Sequence, residues 1–160
     1  MEQTKWLNQR EARAWRALQL MQLQLDGRLG RQLSRESGLS YADYVVLVGL
    51  SEAPEGRLRQ FELAGVLGWD QSRLSHQLSR MGKRGLVEKQ KCDSDGRGAF
   101  VAITEAGQRE IEAAAPGHVA AVRALFVDHL TREQLDVIAE ASEAVLAAIE
   151  ALDAREAGKA

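Results

Sequence analysis

Apolar residues recur at steps of three and four positions over most of this chain, and this spacing predicts a mainly helical protein. The first apolar stripe predicts one long helix over residues 5–37, which Gly38 ends. The stripe consists of Leu7, Ala14, Leu18, Met21, Leu25, Leu29 and Leu33. A helix of this length cannot be covered by the rest of a small domain, so we expect part of it to contact a second chain.

A second helix is predicted to begin just after Ser40. Ser40 and Asp43 have the spacing of a capping box, and Leu39 with Tyr44 can form the hydrophobic staple beside it. The apolar run after this start ends at a proline and a glycine, in the segment 54–56, which predicts a turn.

Residues 58–84 are predicted to form a helix-turn-helix unit. A short helix over residues 58–67 ends at Gly68, and Asp70 is placed to cap a further helix over residues 71–84. Two helices separated by a short turn that holds a glycine have the proportions of this unit. The core-facing positions of the second helix are Leu74, Leu78 and Met81.

The opposite face of that second helix is polar and has no carboxylate after Asp70. It consists of Gln71, Ser72, Arg73, Ser75, His76, Ser79 and Arg80. Amide, hydroxyl, guanidinium and imidazole groups can bind base edges and phosphates in the major groove of DNA. The same groups also suit an ordinary solvated helix face, so this helix alone does not decide between the two interpretations.

After Gly85 the spacing becomes that of strands. Residues 86–92 and 99–103 predict two short strands, and the segment 93–98 between them has the composition of a turn. The pair is therefore a β-hairpin with a polar tip. An arginine at such a tip, here Arg97, suits insertion into a minor groove.

Two further helices are predicted after the hairpin. Thr104 is expected to cap a helix that runs to about residue 129, and Thr131 with Gln134 forms a capping box for the last one. The last helix has apolar positions that alternate steps of three and four, as in the seam of a coiled coil. The seam positions are Leu135, Ile138, Ser142, Val145, Ile149 and Leu152.

Charged residues are distributed unevenly along the chain, so the net charge of the whole chain does not describe its segments. The formal net charge of −2 argues against a nucleic-acid partner. However, residues 57–98 carry nine basic and five acidic side chains, whereas residues 99–160 carry five basic and eleven acidic ones. A basic centre beside an acidic tail is a local pattern compatible with nucleic-acid binding, and the whole-chain value hides it. Local charge also varies by several units along any chain, so charge alone does not favour nucleic-acid binding.

Several classes of protein are excluded by what the sequence lacks. The single cysteine, Cys92, rules out an internal disulfide, and the three histidines have no metal-ligand spacing, so we expect no metal and no cofactor. Because there is no long apolar run and no signal peptide, we expect a soluble cytoplasmic protein with no membrane partner. No motif of a common enzyme class occurs, so we do not expect an enzyme.

Individual residues in and around the helix-turn-helix unit resemble the MarR family of bacterial transcriptional regulators. The matching positions are Glu62-Leu63-Ala64, Leu67-Gly68-Trp69, Gln71-Ser72, Leu74-Ser75, Leu78, Met81, Lys83-Arg84-Gly85-Leu86-Val87, Asp95-Gly96-Arg97-Gly98, Val101, Ile103-Thr104 and Gly107. The resemblance implies a mainly α fold with a small β-hairpin wing, that is, a winged helix-turn-helix with long N- and C-terminal dimerisation helices. It divides the chain into a dimerisation helix (1–38), a DNA-binding domain (39–104) and further dimerisation helices (105–160).

The resemblance also implies how a homodimer reads a pseudo-palindromic double-stranded DNA operator. The helix over residues 71–84 enters the major groove, and the wing at residues 93–98 reaches the minor groove through Arg97, which Asp95 steadies by ion pairing. The base-reading candidates are Gln71, Ser72, Arg73, Ser75 and His76, with Ser79 and Arg80 nearer the DNA backbone. Lys89 and Gly82 depart from the residues that are usual in the family.

Aromatic residues in the first two helices suggest an effector. Trp15, Tyr41 and Tyr44 lie where the family forms an effector cleft, so a small aromatic or phenolic effector is expected by analogy. The alternative is that they are ordinary core aromatics.

Cys92 is interpreted as incidental rather than as a redox sensor. The function expected is a DNA-binding repressor. The alternative is a winged-helix protein-interaction module that has no specific operator.

Overall fold

The computed structural model of the chain describes residues 4–90 and 99–158, and it confirms the mainly helical prediction. Its elements are α1 (Gln9–Ser37), α2 (Tyr41–Ser51), β1 (Arg57–Arg59), α3 (Gln60–Leu67), α4 (Gln71–Lys83), β2 (Val87–Gln90), β3 (Phe100–Ile103), α5 (Glu105–Leu125) and α6 (Arg132–Ala157). Single 3-10 turns, Pro54–Gly56 and Val127–His129, follow α2 and α5.

The helix starts are set by local hydrogen bonds that the sequence predicts. The Ser40 side chain accepts from the Asp43 N–H, and the Asp43 carboxylate accepts from the Ser40 N–H at 2.9 Å. Thr131 and Gln134 make the same reciprocal pair at the start of α6. At the other end of α1, Gly38 adopts the left-handed conformation (φ 70°) that few residues other than glycine accept, which explains why the helix stops there.

Three predicted boundaries are wrong. The first helix begins at Gln9 rather than at residue 5, because Asn8 and Glu11 form a capping box that the apolar stripe does not reveal. The helix expected over residues 58–67 begins at Gln60, since residues 57–59 pair as strand β1 with β3. The helix expected to reach residue 129 ends at Leu125, because Phe126 (φ −135°, ψ −65°) leaves the helical region.

The three strands form an antiparallel sheet in the order β1-β3-β2. In its register Leu58 lies opposite Val101, and Lys89 lies opposite the same residue on the other side. The sheet therefore supplies the base of the predicted wing. Its tip, with the predicted site residues Asp95 and Arg97, lies outside the described residues, as does Cys92.

The chain forms two compact units, residues 1–121 and 122–160. The core of the first unit joins α2, α3, α4, the sheet and the first half of α5, which contributes Ile111 and Ala114. Helix α1 adds only its last turns, through Leu29 and Leu33. The fully buried large side chains are Leu33, Leu39, Val46, Leu47, Leu50, Leu63, Leu74, Met81 and Val101. The family resemblance divides the chain by function into three parts, whereas these two units are defined by compact packing. The functional division therefore stays a prediction.

The long terminal helices leave apolar side chains exposed. In α6 no side chain within residues 132–156 is buried, although Val137, Val145, Leu146 and Ile149 all belong to it. Upstream of Leu29, residues 6–23 expose a further set: Trp6, Leu7, Trp15, Leu18, Leu20, Met21 and Leu23. Among the described helices, none is both long and apolar enough to cross a membrane.

Candidate nucleic-acid interface

Helix α4 is held by a cap, a turn and an apolar face. The Asp70 carboxylate accepts from the Arg73 N–H at 2.7 Å, which satisfies one of the free N–H groups at the helix start. Gly68 ends α3 in the left-handed conformation (φ 62°). Leu74, Leu78 and Met81 are buried in the core as predicted, so the rotation of α4 about its axis is fixed.

The predicted contact residues of α4 lie on its outer face, with one exception. Gln71, Ser72, Arg73, His76, Ser79 and Arg80 are exposed. Ser75 is half-buried, and its hydroxyl accepts a hydrogen bond of 2.6 Å from the Gln60 side-chain amide of α3. Ser75 therefore also joins the two helices of the helix-turn-helix unit.

Arg73 has a defined partner at the start of α4. Its guanidinium carbon lies 4.1 Å from the centre of the Trp69 ring, which is within the range of a cation–π contact. A guanidinium stacked on an aromatic ring keeps its N–H groups free at the edge, where they can bind a base or a phosphate. Trp69 thus orients Arg73 without occupying its hydrogen-bond donors.

Two further basic residues lie on the sheet, and the sequence pattern did not single them out. Arg57 and Arg59 in β1 place their guanidinium carbons 5.2 and 4.9 Å from the centre of the Phe100 ring in β3. Arg57 also forms an ion pair with Glu55. The excess of basic residues in the segment 57–98 was the available signal. The strand that carries this pair is too short to be recognised by its pattern.

The predicted effector residues separate into two groups. Tyr41 is half-buried and Tyr44 is buried, and their ring centres lie 6.3 and 4.3 Å from that of His118 in α5. Trp15 is 52% exposed on α1 and makes no ring contact within the part of the chain that the structure describes. The structure brings the two tyrosines together with a histidine to which the sequence pattern assigned no role.

A cavity of about 810 Å³ opens beside Tyr41. Its lining comes from α1, α2, the end of α3, the turn before α4 and α4 itself: Gln22, Asp26, Tyr41, Ala42, Val45, Leu67, Gly68, Trp69 and Arg73. Burial and the Asp26 carboxylate raise the pKa of Tyr41, so its phenol stays a hydrogen-bond donor at neutral pH. The stacked pair Trp69 and Arg73 is thus shared between the cavity and the outer face of α4.

The described residues contain no group of three or more histidine, cysteine, aspartate or glutamate side chains that could hold a metal ion. The side chains that this surface presents can form hydrogen bonds, stack on rings and supply positive charge. Those are the interactions that bind a polyanion with exposed base edges.

Comparison with known proteins agrees with this geometry. The sequence model of the SarA/Rot family of transcriptional regulators matches residues 28–114. No curated protein gives a significant match to the chain.

Three solved structures match a larger part of the chain than the SarA/Rot model does. AbsC, a MarR family transcriptional regulator from Streptomyces coelicolor, is 37% identical over 92% of this chain and 99% of its own, with a TM-score of 0.86. Sco3205 from the same organism, a MarR family transcriptional regulator in complex with DNA, is 39% identical over 89% of both chains, with a TM-score of 0.85. CouR from Rhodococcus jostii RHA1, bound to p-coumaroyl-CoA, is 25% identical over 81% of this chain and 89% of its own, with a TM-score of 0.72.

Proposed function

Because this chain belongs to the MarR family of transcriptional regulators, we propose that it is a sequence-specific DNA-binding regulator. One observation carries the proposal: α4 presents an exposed face of amide, hydroxyl, imidazole and guanidinium groups, and its other face is locked in the core. A rigid helix with such a face can enter a major groove and read base edges. The structure of Sco3205 with DNA supports this use of the fold.

The roles of the residues follow from their places on α4. Gln71, Ser72, Arg73 and His76 lie towards its N-terminal end and are the base-reading candidates, together with the half-buried Ser75. In the next turns Ser79 and Arg80 would bind the DNA backbone. The wing would extend from β2 and β3, and the family resemblance assigns Arg97 to the minor groove and Asp95 to its support.

The regulator acts as a homodimer in this proposal. Large apolar side chains stay exposed in the first two thirds of α1 and along α6, and monomeric soluble proteins rarely leave such surfaces uncovered. A second copy of the chain would cover them and would place two α4 helices on the two halves of a pseudo-palindromic operator. Occupancy of that operator by the dimer would repress the adjacent gene, and the protein would act in the cytoplasm, where bacterial DNA is.

A small aromatic or phenolic effector would release the dimer from DNA. The cavity beside Tyr41 is of a size that suits a small ligand, and CouR supports an aromatic acyl ligand for this fold. Because Arg73 lines both the cavity and the DNA-reading face, a bound ligand would favour chain conformations in which Arg73 does not bind DNA. Such a ligand acts only by binding the DNA-free state more tightly than the DNA-bound state.

Selection of binding sites from a randomised duplex pool, at about physiological salt, tests the proposal. We expect recovery of an inverted repeat with half-sites about one helical turn apart. Recovery of no common sequence, with binding that depends only on salt, would refute it. That result would instead favour the winged-helix protein-interaction module, whose basic face meets an acidic protein.

A further inference from the structure

One residue on the buried face of α4 is not apolar. Gln77 is only 2% exposed, yet it lies on the same face as Leu74, Leu78 and Met81. A leucine at this position would simply continue the apolar face of the helix. A buried amide is stable only when its donor and acceptor groups are hydrogen-bonded, so the partners of Gln77 indicate what it does.

The donor side of Gln77 is bound to a buried carboxylate. Its Nε2 donates to Oδ1 of Asp43 in α2 at 2.6 Å. Asp43 is 3% exposed, and its Oδ2 also accepts from the Ser40 N–H at 2.9 Å and from Nη1 of Arg84 at 2.7 Å. Burial alone would raise the pKa of Asp43, but the hydrogen bonds from Ser40 and Arg84 outweigh it and hold that pKa below its usual value. The group that accepts the hydrogen bond from Gln77 is therefore a carboxylate that is charged at neutral pH and that Ser40 and Arg84 also bind.

The same carboxylate fixes α4 at a second point. Arg84, which directly follows α4, binds Asp43 through Nη1 and the carbonyl oxygen of Gly38 through Nη2 at 3.3 Å. Positions 77 and 84 are about two helical turns apart. Asp43 thus holds the C-terminal half of α4 to the start of α2, independently of the apolar contacts.

The amide oxygen of Gln77 accepts a hydrogen bond from an exposed residue of the same helix. Its Oε1 accepts from Nη2 of Arg80, one turn further on, and Arg80 is exposed on the face proposed to bind DNA. A free arginine side chain samples many rotamers, and ordering it on binding has an entropic cost. A guanidinium already held by a buried amide avoids part of that cost and keeps its remaining N–H groups available.

We propose that Gln77 is a positioning residue for DNA recognition, fixed by Asp43 and in turn fixing the guanidinium of Arg80. This inference rests on the proposed function and extends it to a residue that is itself shielded from DNA. Gln77 acts on operator affinity only through Arg80. A residue that merely fills the core would act on affinity regardless of what occupies position 80.

A double-mutant cycle on operator affinity tests this mechanism. The four proteins are the wild type, Gln77→Met, Arg80→Ala and the double variant, all titrated with the selected operator at one salt concentration, because phosphate contacts make affinity depend on salt. Methionine keeps the length of the side chain and removes both hydrogen bonds. We expect Gln77→Met to weaken binding about fivefold to tenfold in the wild type and less than about twofold in the Arg80→Ala background. Gln108→Met is the matched control: it removes an α5 amide bonded to Glu112 (2.7 Å), and we expect it to leave affinity unchanged.

Nuclear magnetic resonance of the wild-type guanidinium groups adds a measurement that does not depend on the stability of any variant. We expect Nη protons of Arg80 with restricted rotation in the DNA-free protein, and averaged signals in Gln77→Met. Equal losses of affinity in both backgrounds, or freely rotating Arg80 signals in the wild type, would overturn the inference while leaving operator binding intact. A wild type that selects no operator would instead refute the proposed function, and the inference with it.

Discussion

The winged lobe, residues 39–104, and the two terminal helices α1 and α6 bury their apolar residues very differently. Among the residues that the structure describes, eight of the nine fully buried large side chains lie in the winged lobe, whereas no side chain within residues 132–156 of α6 is buried. Burial of apolar surface is the main favourable contribution to folding. The winged lobe is therefore stabilised within a single chain, and in the proposed dimer a second chain would cover the apolar side chains that the terminal helices expose. The proposal thus assigns recognition to the winged lobe and assembly to the terminal helices.

The largest expected effect comes from opening the core of the winged lobe. Leu74→Ala removes a fully buried side chain at the centre of α4, and we expect it to lower the free energy of unfolding by about 2–5 kcal/mol. The measurement is urea unfolding followed by circular dichroism. The matched control is Val66→Ala in α3, at a side chain that is 67% exposed, where we expect a change within about 0.5 kcal/mol. Similar losses at both positions would mean that the lobe has no such core.

The next effect concerns assembly and leaves the fold of the winged lobe in place. The double change Val145→Glu and Ile149→Glu puts two charges on the exposed apolar seam of α6, where the side chains are 59% and 48% exposed. We expect a monomer by light scattering and an operator affinity reduced about 100-fold, because the two half-sites can no longer be bound together. The same charges in Ala147→Glu with Ala154→Glu, on the opposite side of α6, should leave the dimer intact. A dimer that survives the change in the seam would contradict the role given to α6.

How far the sequence predicts this structure depends on the range of the interactions involved. Ser40 with Asp43, Thr131 with Gln134, and Gly38 are local signals: each requires only residues within one helical turn, and each was confirmed. Strand β1 was missed because it has three residues and exists only through its pairing with β3, some forty positions later. No local propensity encodes such a pairing.

The candidate site shows the same limit. The outward residues of α4, Arg73 among them, follow from helical periodicity. Gln77 could not be assigned in the same way, because its partner Asp43 lies on another helix and is 34 positions away along the chain. The contact between His118 and Tyr44 likewise joins α5 to α2 and has no local signature. What the sequence could not reveal is which polar groups meet in space.

A third prediction separates sequence discrimination from assembly. Arg73→Ala in the winged lobe should weaken binding to the selected operator by about 1–3 kcal/mol and relax base preference near its contact, with the dimer unchanged. The readouts are operator titration and a repeat of the duplex selection. Arg132→Ala, which removes an exposed positive charge at the start of α6, is the matched control and should leave base preference unchanged. Loss of base preference in Arg132→Ala alone would mean that α6, rather than the winged lobe, recognises the DNA sequence.

The smallest expected effect is a dependence of stability on pH that arises where α5 packs on the winged lobe. Nδ1 of His118 is buried without a hydrogen-bond partner in the part of the chain that the structure describes, and the rings of Tyr41 and Tyr44 lie beside it. Burial lowers the pKa of His118, so there is a pH range in which the unfolded chain binds a proton there and the folded chain does not. Unfolding takes up that proton, and the free energy of unfolding therefore falls as the pH decreases from the ordinary histidine pKa of about 6.5 through the lower folded-state value.

His118→Phe keeps a ring against the two tyrosines and removes the titrating group. We expect urea unfolding of the variant to depend less on pH than that of the wild type between pH 7.5 and the folded-state pKa. A second fall in the free energy of unfolding, in more acidic solution, should remain in both proteins. The pKa of Asp43 is lowered in the folded chain, so below the ordinary aspartate pKa of about 3.9 the unfolded chain binds a proton at Asp43 that the folded chain does not. Stability profiles that coincide over the histidine range would show that His118 is protonated as readily in the folded chain as in the unfolded one. The contact between α5 and the winged lobe would then be more open to water than the buried Nδ1 indicates.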